Sequence, residues 1–137
     1  MGIQASVGLE RVFTVTVSDR MSGKLIDEDM VDALSTYALI ELIHRSCYSM
    51  LKDKLNEGEI SVAVKTDLEH IAPTPIGMNL HMKIKIVKIV GRTIYFDIRV
   101  YDEVELVARA THKRFVINKA VIKNRLREKH EKANIMI

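Results

Sequence analysis

Thr36, Glu41, His44 and Cys47 fall within one short stretch, and a second imidazole able to move protons, His70, stands at the head of His70-Ile-Ala-Pro-Thr-Pro-Ile-Gly77. A hydroxyl, a carboxylate, a thiol and two imidazoles are the side chains that nucleophilic and general acid–base catalysis use. If residues 36 to 47 are helical, His44 lies about 80° round the axis from Thr36 and Glu41 about 60° beyond His44, so the three share one broad side. Thr36 would sit at the helix N-terminus, where free N–H groups and the helix dipole favour negative charge. The structural alternative makes Thr36 a cap and pairs Glu41 with His44 at i,i+3.

Cys47, one turn beyond His44, could form a thiolate–imidazole dyad, but a free cysteine on an apolar helix is more simply a core residue. His44, His70 and His112 could gather round a metal, although none of their spacings is diagnostic, and no metal is expected. His81 and His130 stand among charged residues and read as exposed. The segment after His70 holds both prolines of the 137-residue chain. Pro73 and Pro75 restrict the backbone and remove two donors, and Gly77 lets another backbone or a ligand come close. His70 is then either a satisfied, partly buried residue or one aimed at a ligand.

The elements that must position these groups follow from periodicity. Leu9, Phe13, Val15 and Val17 alternate with polar residues and predict a first strand. Residues 18 to 34 show no clean period and predict an irregular loop with room for a helical turn. Ser35 or Thr36 can start a helix that Asn56 to Gly58 would stop. Its apolar residues, among them Tyr37, Leu39, Ile40, Ile43 and Met50, run nearly all the way round, which predicts a buried core helix. Ile60, Val62, Val64, Leu68 and His70 share one phase of a second strand. Met78 to Ile86 alternate until a slip near Val87, which predicts a bulge. A turn at Gly91-Arg92 leads to Ile94, Phe96, Ile98 and Val100, and a turn near Asp102-Glu103 to Val104, Leu106, Ala108 and Ala110. From Asn118 to about Lys132 the chain reads as a short, mostly exposed helix. The order is one strand, one helix and four consecutive antiparallel strands, an α+β domain in which a five-stranded sheet wraps the long helix. One domain over residues 1–137, with a basic helical tail over 118–137, fits the length. The unsatisfied sheet edge predicts a homodimer, with a tetramer of paired dimers left open.

The composition narrows the partners. The net charge of +3 is concentrated at the end: residues 113 to 137 hold eight Lys or Arg against two Glu. That tail could contact nucleic acid or a nucleotide phosphate, but a solvated helix face accounts for it more simply. Apolar runs are too short for a membrane-spanning helix, and the start lacks the apolar stretch of a signal peptide, so a cytoplasmic protein is expected. MGIQAS at the N-terminus fits the loose pattern for acylation at Gly2, which is discounted as a chance match. A single cysteine excludes an internal disulfide.

Strand, helix, four strands, Thr36 and Cys47 eleven apart on the helix, the motif HxxxTPxG from His70 to Gly77 and Thr-His-Lys-Arg at 111 to 114 together resemble the hot dog fold thioesterases, in the branch that contains fluoroacetyl-CoA thioesterase. The resemblance extends from about Gly8 to Ile122. It implies a dimer that binds acyl-CoA near the subunit interface and hydrolyses the thioester with a Thr, a carboxylate and a His. Thr36 and His70 match two of these, and Thr74, Pro75 and Gly77 of the motif become candidate substrate contacts. The position of the carboxylate, eight residues after the Thr, is His44 here. Either Glu41 replaces the missing carboxylate or His44 acts as base. Coenzyme A belongs to the substrate, so no separate cofactor is implied. Two further readings of the same fold are a protein that binds acyl-CoA or another pantetheine ligand without turnover, and an enoyl-CoA hydratase.

Overall fold

In the computed structural model, which describes residues 5–136, the chain runs β1 (Glu10–Thr16), α1 (Thr36–Lys52), β2 (Glu59–His70), β3 (Asn79–Val90), β4 (Thr93–Tyr101), β5 (Leu106–Asn118) and α2 (Lys119–Met136). Gly2 of the acylation pattern lies outside the described residues. The alternation read from β3 and β4 is carried out in three dimensions: Leu80, Met82, Ile84 and Ile86 of β3 and Ile94, Phe96, Ile98 and Val100 of β4 are all buried on one face. All strand pairs are antiparallel and the order is β1-β3-β4-β5-β2, so β1 and β2 are the two edges. The register slips between Ile86 and Lys88, as the phase change at Val87 predicts.

α1 crosses the buried face and closes the core with Leu39, Ile43, Cys47, Met50 and Leu51. Each large side chain among them contributes roughly 1.5–3 kcal/mol by leaving water. Ser35 caps the helix through its hydroxyl, which accepts from the Ala38 N–H, so Thr36 is the first helical residue and not the cap. The helix ends at Lys52, before the predicted stop at Asn56 to Gly58. Its apolar residues are not all enclosed: Tyr37, Ile40 and Tyr48 stay exposed on the side away from the sheet. This arrangement of one sheet round one helix is the hot dog fold.

The second strand departs from its sequence phase. A bulge between Ala63 and Lys65 leaves Val64 over half exposed, at 56%, and moves the helix-facing set to Ser61 before it and Thr66, Leu68 and His70 after it. Ile60 and Val62 therefore lie on the other phase, contrary to the alternation. β5 starts at Leu106, with Val104 exposed in the turn before it. Residues 18 to 34 hold two short 3-10 turns, Asp19–Met21 and Gly23–Leu25, within an irregular loop. α2 runs a few residues past Lys132, and from Lys119 to Asn134 only Ile122 is even half-buried. No helix among the described residues is long and apolar enough to cross a membrane.

Candidate active site

Thr36 opens α1 and His70 closes β2, and the fold brings them together. Thr36 Oγ1 and His70 Nδ1 share a hydrogen bond of 2.9 Å. The segment between β2 and β3 holds this junction still. Ile71 and Ala72 donate to the Val107 carbonyl, Thr74 accepts from the Leu34 N–H, Gly77 donates to Val17, and Val17 donates to Met78. The loop is thus fastened to the start of β5, to the end of β1 and to the residue two before Thr36. Burial pushes the His70 imidazole below its ordinary value, so the ring is neutral near pH 7. Its Nε2 is enclosed and has no partner among the described residues. Such an orphaned nitrogen is rare in a folded chain and marks a place where a partner is missing. The N–H groups of Thr36 and Tyr37 at the start of α1 make no hydrogen bond among the described residues, which leaves two donors at the positive end of the helix.

Thr36 also stands at the rim of a cavity of about 440 Å3 formed between the 3-10 turns and the first turns of α1. Ile26, Met30, Val31, Leu34, Tyr37 and Ile40 line it, and no charged side chain does. A cavity of this size and character suits an aliphatic group.

A second polar centre lies two turns further along α1. His44 Nε2 and Thr66 Oγ1 are 2.9 Å apart, Thr66 Oγ1 and His112 Nδ1 2.7 Å, and Arg114 donates from Nη1 to His112 Nε2 over 3.0 Å. Arg114 is buried, and it also donates to the hydroxyl and the carbonyl of Ser61. Burial, then His44 and Arg114, push His112 down to about 4. His44 is lowered by burial and by Arg114. Thr66 and Arg114 are absent from the candidates drawn from the sequence, and His112 is among them only as a possible metal ligand, not as a partner of His44. A signal was there: His112 and Arg114 continue the even phase of Ala108 and Ala110 toward the core.

Several candidates are corrected. Glu41 is exposed and pairs with Arg45 at 2.8 Å, so it neither satisfies His44 nor reaches the Thr36–His70 junction. Cys47 is fully buried and burial raises its thiol to about 12, which removes the thiolate that a dyad needs. His70 is bonded to Thr36 whereas His44 and His112 meet at Thr66, so the three histidines are not gathered round one point. His81 is half-buried and bonded to Thr14. Thr74 is buried and its hydroxyl donates to Asp102 Oδ2 at 2.9 Å, so it anchors the loop and offers nothing to a ligand. Pro75 is exposed and bridges to Ala33. Gly77 is needed for its φ of +99°, in a turn that Met78 closes on the Pro75 carbonyl, and nothing lies within 4 Å of where its Cβ would be. The close approach read from this glycine is therefore absent.

Residues 15–120 match the family described as FlK, fluoroacetyl-CoA-specific thioesterase. The fluoroacetyl-CoA thioesterase of Streptantibioticus cattleyicolor is 24% identical over 98 residues, which span 72% of this chain and 70% of that protein. A hot-dog-like protein from Thermanaerovibrio acidaminovorans superposes with a TM-score of 0.85 at 23% identity, covering 90% of this chain and 91% of that one. A mutant of FlK in complex with acetyl-CoA superposes with a TM-score of 0.83 at 19% identity, covering 91% of this chain and 98% of its own. These two likenesses show the hot dog fold.

Proposed function

Because the chain belongs to the fluoroacetyl-CoA-specific thioesterase family and is an acyl-CoA thioesterase-like hydrolase, we propose that it cleaves acyl-CoA at the Thr36–His70 junction and accepts acyl chains longer than two carbons. The observation that carries this reading is the Thr36 Oγ1–His70 Nδ1 hydrogen bond at the rim of an uncharged cavity. Thr36 Oγ1 attacks the thioester carbonyl while its proton passes to His70 Nδ1. Negative charge on the carbonyl oxygen is met by the free N–H groups at the start of α1. The carbon–sulfur bond then breaks, and the coenzyme A sulfur leaves with the proton from His70. Water then adds to the acyl carbon while giving a proton to the same imidazole, which returns it to Thr36 Oγ1 as the ester carbon–oxygen bond breaks, so that Thr36 is restored and the acyl group leaves as a carboxylic acid. A complex of acetyl-CoA with a protein of the same fold supports a coenzyme A thioester as the substrate.

The cavity supports a chain length beyond that of fluoroacetate, since 440 Å3 far exceeds what two carbons fill. The test is release of free thiol from a series of straight-chain acyl-CoA esters. Each added methylene buried is worth about 0.8 kcal/mol, so kcat/KM should rise about fourfold per carbon until the cavity is full. A flat series, or fluoroacetyl-CoA preferred above all, would defeat the reading of chain length; no release with any ester would defeat hydrolysis itself.

A second reading, binding without turnover, has one observation in its favour: Glu41 is turned to Arg45, leaving the Thr36–His70 junction without the carboxylate. Calorimetric binding of the same esters without thiol release would select it. As a partner we propose a second copy of the chain, seated along the open edge of β2 and over Tyr48 of α1, an exposed apolar side chain outside the acyl cavity that a dimer would cover. A cytoplasmic location completes the proposal.

A further inference from the structure

The proposed reaction uses none of Thr66, His112 and Arg114, yet their hydrogen bonds run in one direction. Arg114 is only 5% exposed and takes part in no ion pair among the described residues. A guanidinium can only donate. His112 Nε2, bonded to Arg114 Nη1, is therefore an acceptor, and the neutral ring carries its proton on Nδ1. That N–H donates to Thr66 Oγ1. The hydroxyl proton of Thr66 then has one acceptor at hand, His44 Nε2. If His44 instead carried its proton on Nε2, the Thr66 hydroxyl would have nothing to donate to in a half-buried place. A doubly protonated His44 would add a second cation beside Arg114. With Nε2 occupied, His44 keeps its proton on Nδ1, which has no partner among the described residues and is not enclosed.

We infer that Arg114, His112 and Thr66 are positioning residues that hold His44 as a neutral imidazole with Nδ1–H turned outward, a hydrogen-bond donor to a carbonyl oxygen of the bound acyl-CoA and not a general base. The part that concerns acyl-CoA rests on the hydrolase reading above; the protonation state does not. A neutral imidazole is an effective electrophilic donor, because its proton stays in place at the pH of the reaction. The groups that face His44 are Arg114 and His112 from β5, Thr66 from β2, and Cys47 and Tyr48 from its own helix. Arg45 is held by Glu41 at the surface. Burial and Arg114 both lower the basicity of His44, in agreement with the geometry.

The test is a long-range proton–nitrogen correlation spectrum of the full chain labelled at histidine, with His44→Asn and His112→Asn used for assignment. At pH 7 both rings should show a protonated Nδ1 and a bare Nε2. An Nε2–H or a doubly protonated ring at His44 would overturn the inference, whatever the activity of the protein. Thr66→Val should release His44 to a mixture of tautomers, lower kcat/KM on the order of tenfold and move the midpoint of the His44 ring titration, followed in the same spectra, to higher pH. Thr66→Ser should keep the wild-type spectrum and titration. An unchanged tautomer and midpoint of His44 in Thr66→Val, with Thr66→Ser folded and active, would show that the hydrogen bonds from Arg114 to Thr66 do not set the state of His44.

Discussion

The acid response of the folded chain can be worked from His112. Its ring is fully enclosed between α1 and β5, and its pKa falls from the ordinary 6.5 to about 4 because burial penalises the charged form and His44 and Arg114 repel it. In the unfolded chain the same ring titrates normally, so below pH 6.5 the unfolded state binds a proton that the native state refuses. Stability contributed by the neutral ring is therefore complete above pH 6.5, declines as the pH falls toward about 4, and changes no further below that. At about 1.4 kcal/mol per pH unit the loss amounts to roughly 3 kcal/mol, a large part of the 5–15 kcal/mol that holds an ordinary domain. His70 and His44, lowered in the same direction, steepen the decline. His112→Gln keeps a donor and an acceptor in the site but does not titrate. Urea unfolding of both proteins between pH 7 and pH 4 should show the gap between them narrowing by roughly 3 kcal/mol as the pH falls, with equal m values. Two parallel curves would refute the burial argument, since they would mean that the ring is protonated as easily in the folded chain as in the unfolded one.

His70→Ala should lower thiol release from the best acyl-CoA by about 10²–10⁴-fold in kcat while leaving the melting temperature nearly unchanged; full activity would remove His70 from the mechanism. Asp102→Asn should cost about 1–3 kcal/mol in chemical unfolding, because the carboxylate accepts from the N–H groups of Val104 and Glu105 and from Thr74. Burial alone would raise the pKa of Asp102, but those donors outweigh it and hold the carboxyl below its ordinary 3.8. The stabilisation is therefore complete above that value and lost as the pH drops through the lower native one, a loss that the Asn variant should not show. Gly77→Ala should lower stability by about 1–2 kcal/mol, visible as a lower melting temperature with unchanged substrate preference, because the strain comes from a φ of +99° and not from a contact.

Where one face of a strand is buried along its whole length, as in β3 and β4, alternation in the sequence is enough to place every side chain. β2 shows why the same method fails at an edge. Ile60, Val62 and Val64 alternate cleanly, but the bulge at Val64 reverses the phase, and an edge strand with both faces partly apolar leaves no imprint of the slip in residue types. For α1 the apolar residues all round were legible, but their cover was not: Tyr37, Ile40 and Tyr48 are apolar without being enclosed by their own chain. At the site, Thr36 and His70 could be read because a helix start and a proline-flanked histidine are local signals. For Arg114 the alternation along β5 gives the inward direction but not that a guanidinium is buried there without a carboxylate; it is tolerated because Ser61 and His112, distant in sequence or drawn into the same strand face, accept its hydrogen bonds.

The charges that remain in place favour the chemistry of thioester cleavage. Attack on the carbonyl and departure of the sulfur both develop negative charge, which a nearby carboxylate would oppose. Glu41 is occupied by Arg45 at the surface, and Asp102 is consumed by the turn before β5 and by Thr74. His70 and His44 are both kept neutral by burial. What faces the interior is then the positive end of α1 beside Thr36 and the guanidinium of Arg114 behind His44, with its pull passed outward through His112 and Thr66. Along a helix, eight residues span about 12 Å, so Thr36 and His44 cannot act on one atom within a single chain. They can act on one molecule of extended acyl-CoA, with Thr36 and His70 at the bond that breaks and His44 as a donor to a carbonyl further along. His44 in place of a carboxylate is thus consistent with hydrolysis, provided that the base is His70.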